Sequence, residues 1–385
     1  MVREGQGDMQ TGGAETRRGM PTPVRTVVVL ALLYLFLAGV RLLEGGIKGF
    51  GSDFTDALFE GVSNPLAGLF VGVLATVLVQ SSSVTTATIV GLVASGVVSV
   101  DAAVPMIMGA NIGTTVTNTL VSLGHMRQTA EFRLAFTAAT MHDFFNVIAV
   151  AVLLPLEVLT GVLSNTARAI TEILAGGSGI EFQSPIKGAV SWLAGIFESL
   201  IEALFSNEDV IATLFLVVGI ALIFLTLTFI TKNMRVLVAA RIERSLNAVL
   251  AKSGVVGMIV GMLVTIAVQS SSITTSILIP IVASGVLVVR NAYPITLGAN
   301  VGTTVTALLA ALASGTTDGL TIALVHTLFN VAGILLLYPW KVTRFLPVRL
   351  AEGLATIAMS RRTLALGYVA VVFVAVPLLG TLLLR

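Results

Sequence analysis

The stretch QSSSVTTATIVGLVASG, Gln80 to Gly96, opens with an amide and five hydroxyls in seven positions, and apolar runs flank it. It returns as QSSSITTSILIPIVASG at Gln269 to Gly285. The surrounding chain is apolar. Of 385 residues 56% are hydrophobic and 11% charged, with a mean hydropathy of +0.99, against roughly 25% charged in soluble domains. Runs at 26–40, 210–230 and 364–384 approach or reach the ~20 apolar residues that cross a bilayer as a helix, without the alternation of a barrel strand. An all-α polytopic membrane protein follows. There is no cysteine, which excludes disulfides, thiolate nucleophiles and Cys-based metal sites. The net charge of +2, from 22 basic and 20 acidic residues, gives no overall attraction to nucleic acid.

Aligning Gly68–Leu123 with Gly257–Leu312 at an offset of 189, without gaps, gives 30 identities in 56 positions. The chain is an internal duplication. The shared pattern runs QSSS-x-TT, VASGV, a proline (Pro105, Pro294), then GANIGTTVT at Gly109 against GANVGTTVT at Gly298. Further on, HDFFN at His142–Asn146 faces HTLFN at His326–Asn330, at an offset of 184.

Each copy reads as a span, an amphipathic stretch, a QSSS-interrupted segment, a GANxGTT span and a span with the His/Asn pair. These fall at 26–47, 50–63, 66–98, 102–123 and 130–154, then at 210–231, 233–252, 255–288, 291–313 and 318–339. The organisation expected is a polar cytoplasmic tail (1–25), repeat one (26–155), a linker (156–209), repeat two (210–340), and an interfacial helix with a final crossing (341–385).

Charge decides whether the QSSS segments cross or turn back. With each a re-entrant hairpin and the N-terminus inside, basic groups in the 124–130 loop (Arg127), in 232–252 (Lys232, Arg235, Arg241, Arg244, Lys252) and in 341–362 (Lys341, Arg344, Arg349, Arg361, Arg362) all fall inside. The acid-rich linker, with Glu157, Glu172, Glu181, Glu198, Glu202, Glu208 and Asp209, falls outside. Counting QSSS as a crossing reverses the basic 232–252 stretch and the linker. About seven crossings and two hairpins result, three crossings per copy. An odd number inverts the second copy relative to the first, so the two QSSS tips enter from opposite faces. The C-terminus then lies outside the cell membrane.

A hairpin tip within a bilayer must bury its free backbone groups in protein or line a polar cavity with them. The returning helix offers free N–H groups and its positive dipole end to an anion. Hydroxyls and amides donate to an oxyanion and coordinate a hard cation through their lone pairs. Gly109, Gly113, Gly298 and Gly302 weaken the GANxGTT crossings, so a break is expected in each, with Asn and Thr oxygens at it. Lysine and arginine are absent from both motif regions except Arg290 at a hairpin exit. An anion held without cationic side chains needs bound cations, a physical route to coupling. Serine and threonine in membrane helices also bond back to their own carbonyls or join helices; two matched copies, each with Gln and Asn 31 residues apart, argue for a site. Asp143 reads as a cation ligand. For His142 and His326 a satisfied core histidine and a transport role stand equally.

The doubled QSSS, GANIGTTVTNT at Gly109–Thr119 and HDFFN at His142–Asn146 resemble the type II sodium-phosphate cotransporters and their bacterial relatives, across about 26–155 and 210–340. The resemblance implies sodium-coupled import of inorganic phosphate by alternating access, not an enzyme, with sodium as co-transported ion and the QSSS regions as substrate site. The aspartate at 143 implies electrogenic transport. Ser81, Ser82, Ser83, Ser270, Ser271, Ser272, Asn111 and Asn300 are then expected at phosphate. Gln80, Gln269, Thr85, Thr86, Thr274, Thr275, Thr114, Thr115, Thr303, Thr304 and Asp143 are expected at sodium, while the roles of His142, Asn146, His326 and Asn330 stay open. Rivals are a symporter of a dicarboxylate or sulfate, a phosphate sensor, and an intramembrane serine hydrolase, which lacks a G-x-S-x-G context.

Overall fold

A computed structural model of the chain describes residues 20–50, 61–127, 129–175, 187–249 and 254–384. Among them the secondary structure is helical and no strand occurs. The tail to residue 19, residues 51–60 of the amphipathic stretch, linker residues 176–186 with Glu181, and Lys252 lie outside the described residues. Described helices fall into long and short. Six are long and apolar enough to cross a membrane: α1 (Thr22–Gly49), the bulk of α6 (Thr129–Thr160), the first part of α9 (Glu208–Val249), α12 (Val289–Ser314), α13 (Thr317–Leu337) and a final Thr363–Leu383 run.

The QSSS segments divide into helices too short to cross. They are α2 (Pro65–Val79) with α3 (Ser82–Ala94), and α10 (Gly254–Val268) with α11 (Ser271–Ala283). Fifteen residues reach roughly 22 Å at 1.5 Å per residue. Glycines record how the pieces lie. A β-carbon on Gly72 would overlap the Met106 carbonyl, and one on Gly109 the Leu69 carbonyl; Gly113 meets Val73 and Thr76. Thus α2 runs parallel to α4 (Val100–Thr114), backbone against backbone. Since Gly68 already lies beside Ala102 and Pro105, α3 has carried the chain back to the level where α2 began. Gly261 on Ile295, Gly298 on Met258 and Gly302 on Met262 and Thr265 give the same arrangement in the second copy. The GANxGTT glycines thus serve close helix approach, not only helix weakening.

The expected break at GANxGTT occurs in the first copy alone. There the helix divides at Thr115 into α4 and α5 (Val116–Leu123), whereas α12 runs unbroken through GANVGTT. The two copies differ just downstream of this point. Asn118 and Thr119 send side chains to other helices, while the second copy has the better helix formers Ala307 and Leu308 at the matching positions.

Two other elements depart from expectation, the 233–252 stretch, which by its sequence reads most simply as an interfacial helix, and the last crossing, while the linker forms short amphipathic helices of the kind its sequence allows. The 233–252 stretch is no separate interfacial element; it extends the crossing, and α9 runs 42 residues to Val249. That is roughly 63 Å, twice the hydrocarbon thickness, so one end projects beyond it. The linker folds into α7 (Val162–Leu174) and α8 (Lys187–Leu204), and buried Glu157 caps α7 by accepting from the N–H groups of Leu163 (2.6 Å) and Ser164 (3.1 Å). After α14 (Leu346–Ser360), the last crossing is not one α-helix: α15 (Thr363–Ala370) passes through a π-helical turn, Val371–Ala375, into α16 (Val376–Leu383).

The opening helices of the two copies, α1 and α9, pack antiparallel. Gly39 lies against Gly219 and Leu222, while Gly46 and Gly49 lie against Ala212, and no β-carbon fits at Gly46 or Gly219. Inside this frame sits an apolar core that includes Phe36, Val40, Leu43, Val90, Ile107 and Phe329.

Candidate functional site

Both QSSS turns use the same backbone. Gln80 (φ 56°) and Gln269 (φ 57°) are the non-glycine residues with positive φ among the described residues. Each closes the preceding helix in the left-handed conformation, uncommon outside glycine and asparagine. The amide serves the turn. Gln80 Nε2 donates to the Val77 carbonyl (2.5 Å) and its Oε1 accepts from Thr117 Oγ1 (3.1 Å); Gln269 repeats this with Ile266 (2.7 Å) and Thr306 (2.9 Å).

The first serine of each run caps the returning helix. Ser81 Oγ accepts from Val84 N–H and Ser270 Oγ from Ile273 N–H, each at 3.3 Å. Such a cap stabilises by about 1 kcal/mol. The next two serines occupy the first helical positions, where backbone N–H groups have no intrahelical acceptor. Ser82, Ser83 and Ser271 are buried, Ser272 half-buried, and Ser271 Oγ has no hydrogen-bond partner. The two tips touch across the repeats. Ser83 Oγ donates to the Gln269 carbonyl (3.3 Å) and Ser272 Oγ to the Thr114 carbonyl (3.5 Å).

The threonines split their two functions. Thr85 and Thr274 donate to the carbonyls of Ser81 and Ser270, Thr86 to Ser83, Thr114 to Ala110, Thr115 to Ile112 and Thr304 to Val301, at 2.8–3.4 Å. A hydroxyl that gives its proton to its own helix keeps lone pairs for a cation. Buried Thr303 Oγ1 has no partner.

A chain of buried amides joins the repeats. Thr275 Oγ1 (2.8 Å) and Ser276 Oγ (3.1 Å) donate to Asn118 Oδ1, and Asn118 Nδ2 lies 3.4 Å from His142 Nδ1. His142 Nε2 lies 2.5 Å from Asn300 Oδ1; Asn300 Nδ2 donates to Asn146 Oδ1 (2.9 Å), and Asn146 Nδ2 to the Asn111 carbonyl (2.8 Å). Each amide fixes the next. The network assigns His142 the tautomer with its proton on Nε2, so that every donor meets an acceptor. Asn300 is thus bound to the HDFFN helix, and Asn111 Nδ2 donates within its own helix to Ile107 (3.0 Å).

The matching pair in the second copy is not so engaged. Asn330 Nδ2 donates to the His326 carbonyl (3.0 Å), leaving Asn330 Oδ1 and His326 Nδ1 buried without partners. Asp143, 1% exposed, accepts on Oδ2 from Tyr368 Oη (2.9 Å) and Thr119 Oγ1 (3.3 Å), while its Oδ1 has no partner.

Sequence reasoning did not single out Thr117, Thr306, Asn118, Thr119, Ser276 or Tyr368. The two threonines recur at the 189-residue offset and were findable by it; Asn118 and Tyr368 have no counterpart that repetition could flag. No lysine or arginine enters these hydrogen bonds, and two surface pockets, of about 390 and 370 Å³, lie at the hairpin bases, not at the tips.

The sequence profile described as Na+/Pi-cotransporter matches residues 35–180 and 222–379. The chain is 34% identical to sodium-dependent phosphate transport protein 2B of Bos taurus over 91% of its length, and spans 64% of that relative. It is likewise 34% identical to protein 2A of Ovis aries (94% of this chain, 68% of the relative) and to protein 2A of Rattus norvegicus (92% and 67%). No solved structure matches the chain. The profile covers both copies of the QSSS turn, the GANxGTT segment and the His/Asn pair, which are the parts that build the shared polar centre; the chain belongs to the Na+/Pi-cotransporter family.

Proposed function

We propose that this multi-pass membrane protein imports inorganic phosphate together with sodium ions by alternating access, the site lying where the two repeats meet. The observation that carries this is the pair of left-handed Gln turns, at equal repeat positions, whose serine tips touch through Ser83 and Gln269. Two helix N-termini then face one point, bringing positive dipole ends and serine hydroxyls to an oxyanion. The names of the relatives, sodium-dependent phosphate transport proteins, support this choice of cargo.

In this reading Ser82, Ser83, Ser271 and Ser272 hold phosphate through hydroxyl and backbone donors, while Ser81 and Ser270 shape the turns that present them. Asn111 and Asn300 stand behind the site, Asn300 in the amide chain. Lone pairs of Gln80, Gln269, Thr85, Thr86, Thr114, Thr115, Thr274, Thr275, Thr303 and Thr304 supply neutral oxygens for sodium. Asp143 supplies a charged one. Sodium ions offset the phosphate charge, which makes their transport obligatory and, with Asp143, electrogenic.

The short paired helices are re-entrant hairpins and the repeats are inverted, a placement supported by the antiparallel packing of α1 against α9. The tail is cytoplasmic, the linker 156–209 and the C-terminus are extracytoplasmic, and the protein resides in the cell membrane. No step of this reading needs a catalytic group.

The test is uptake of labelled phosphate into proteoliposomes of the purified protein. An inward sodium gradient should drive accumulation and a choline gradient should not. Sulfate or dicarboxylate competing as well as unlabelled phosphate would move the assignment to another oxyanion.

A further inference from the structure

The last crossing belongs to neither repeat, and its outer face is apolar: Leu364, Leu366, Val371, Val374, Val376, Leu378, Leu379, Leu382 and Leu383 are all exposed. One hydroxyl of this crossing reaches into the first repeat. Tyr368 Oη donates to Asp143 Oδ2 at 2.9 Å, across 225 residues of sequence.

The ring is held in place. It meets Phe136 edge-on, with ring centroids 6.3 Å apart, and Phe373 at 6.0 Å and 89°. Tyr368 and Phe373 are five residues apart, and at 3.6 residues per turn that spacing puts two side chains on different faces. The π-helical turn Val371–Ala375, with its longer repeat, brings fully buried Phe373 under the tyrosine ring. The irregular turn and the inward-facing hydroxyl thus belong to one device.

Tyr368 is the short donor to Oδ2, at 2.9 Å, while the Thr119 hydroxyl is shared at 3.3 Å between Oδ2 and the Thr115 carbonyl; Oδ1 is the oxygen left without a partner, in a residue 1% exposed. A buried, oriented and unpaired carboxylate oxygen is what a hard cation takes up. We propose that Tyr368 is a positioning residue for a cation at Asp143: by holding Oδ2 it turns Oδ1 toward sodium and ties the final helix to the ion. This rests on the proposed assignment of Asp143 to sodium.

The test reads ion binding without transport. Purified protein is unfolded thermally, followed by tryptophan fluorescence, while sodium replaces choline at constant ionic strength; ligand binding to the folded state raises the unfolding temperature. Loss of a group that orients a metal ligand weakens metal affinity by about ten-fold or more, so Tyr368→Phe should raise the sodium midpoint by about that factor. In an Asp143→Gly background the same change should add nothing, because coupled residues are not additive. Phe136→Leu, which disturbs the ring packing but not the hydroxyl, should leave the midpoint within about two-fold.

A Tyr368→Phe midpoint equal to wild type, an equal shift in the Asp143→Gly background, or an equal shift from Phe136→Leu would each overturn the proposal. A wild-type protein whose unfolding ignores sodium would overturn both it and the assignment of Asp143. Wild-type protein that binds sodium yet imports no phosphate would instead sink the transport reading alone.

Discussion

His142 Nε2 sits 2.5 Å from Asn300 Oδ1, so a histidine of the first repeat is hydrogen-bonded to the GANVGTT helix of the second. Both residues are buried, and both are held from behind, His142 by Asn118 and Asn300 by Asn146. Removing the imidazole leaves one atom of each of two buried amides unpaired, Asn118 Nδ2 and Asn300 Oδ1, and each unpaired polar group costs about 1–3 kcal/mol. His142→Ala should therefore lower the unfolding temperature and reduce uptake at least ten-fold, measured on protein of equal membrane abundance. His142→Gln, which can still donate, should recover part of both.

The first serine of each tip caps a helix, and in the proposed reading the next two hold the anion. Ser81→Ala with Ser270→Ala should destabilise by about 1 kcal/mol per cap, and Ser81→Thr with Ser270→Thr should restore stability. Ser82→Ala with Ser271→Ala should abolish phosphate uptake while the unfolding temperature without phosphate stays close to wild type. Retained uptake would move the anion away from the tips.

Asp143→Gly should leave sodium-driven phosphate uptake in place and remove its net charge movement. Current recorded alongside tracer flux in proteoliposomes decides this. An unchanged charge per phosphate would count against a cation at this carboxylate.

Backbone contact at the GANxGTT glycines predicts a steric effect. Gly109→Val or Gly298→Val drives a side chain into the Leu69 or Met258 carbonyl. Overpacking of this kind costs about 1–3 kcal/mol or more, readable as poorer thermal stability, with the hairpin arm pushed off its neighbour.

The absence of cysteine makes topology directly measurable. Asp101 and Arg290 occupy equal positions in the two repeats, at hairpin exits, and both are exposed. Asp101→Cys should react with a membrane-impermeant maleimide from outside the cell, and Arg290→Cys only from inside. Labelling of both from one side would dismantle the inverted arrangement.

Apolar length and the 189-residue repetition made the crossings and the divided QSSS segments legible, because both are properties of local composition. The turns were legible for a second reason. A run of hydrogen-bonding side chains amid apolar residues has few physical uses, and capping a helix at a buried turn is one. Asn118, Thr119 and Tyr368 were not legible, since their significance is tertiary: each matters through a partner 24 to 225 residues away. The unbroken α12 escaped prediction too. Identical GTTVT residues sit in both copies, so nothing within the motif distinguishes them; the copies first differ after it, at Asn118 and Thr119 against Ala307 and Leu308.

The seam between α1 and α9 has a mechanical meaning. Gly46 faces the Leu216 amide and Ala212 carbonyl with no room for a methyl group, and Gly219 faces Leu43 in the same way. Two backbones engaged this closely cannot slide by a residue without driving Leu222 or Ala212 into a main chain that has no side-chain slack. The pair is therefore a stiff seam between the two repeats, and in the proposed alternating-access cycle it is the part that stays fixed while the short helices beside it change their packing.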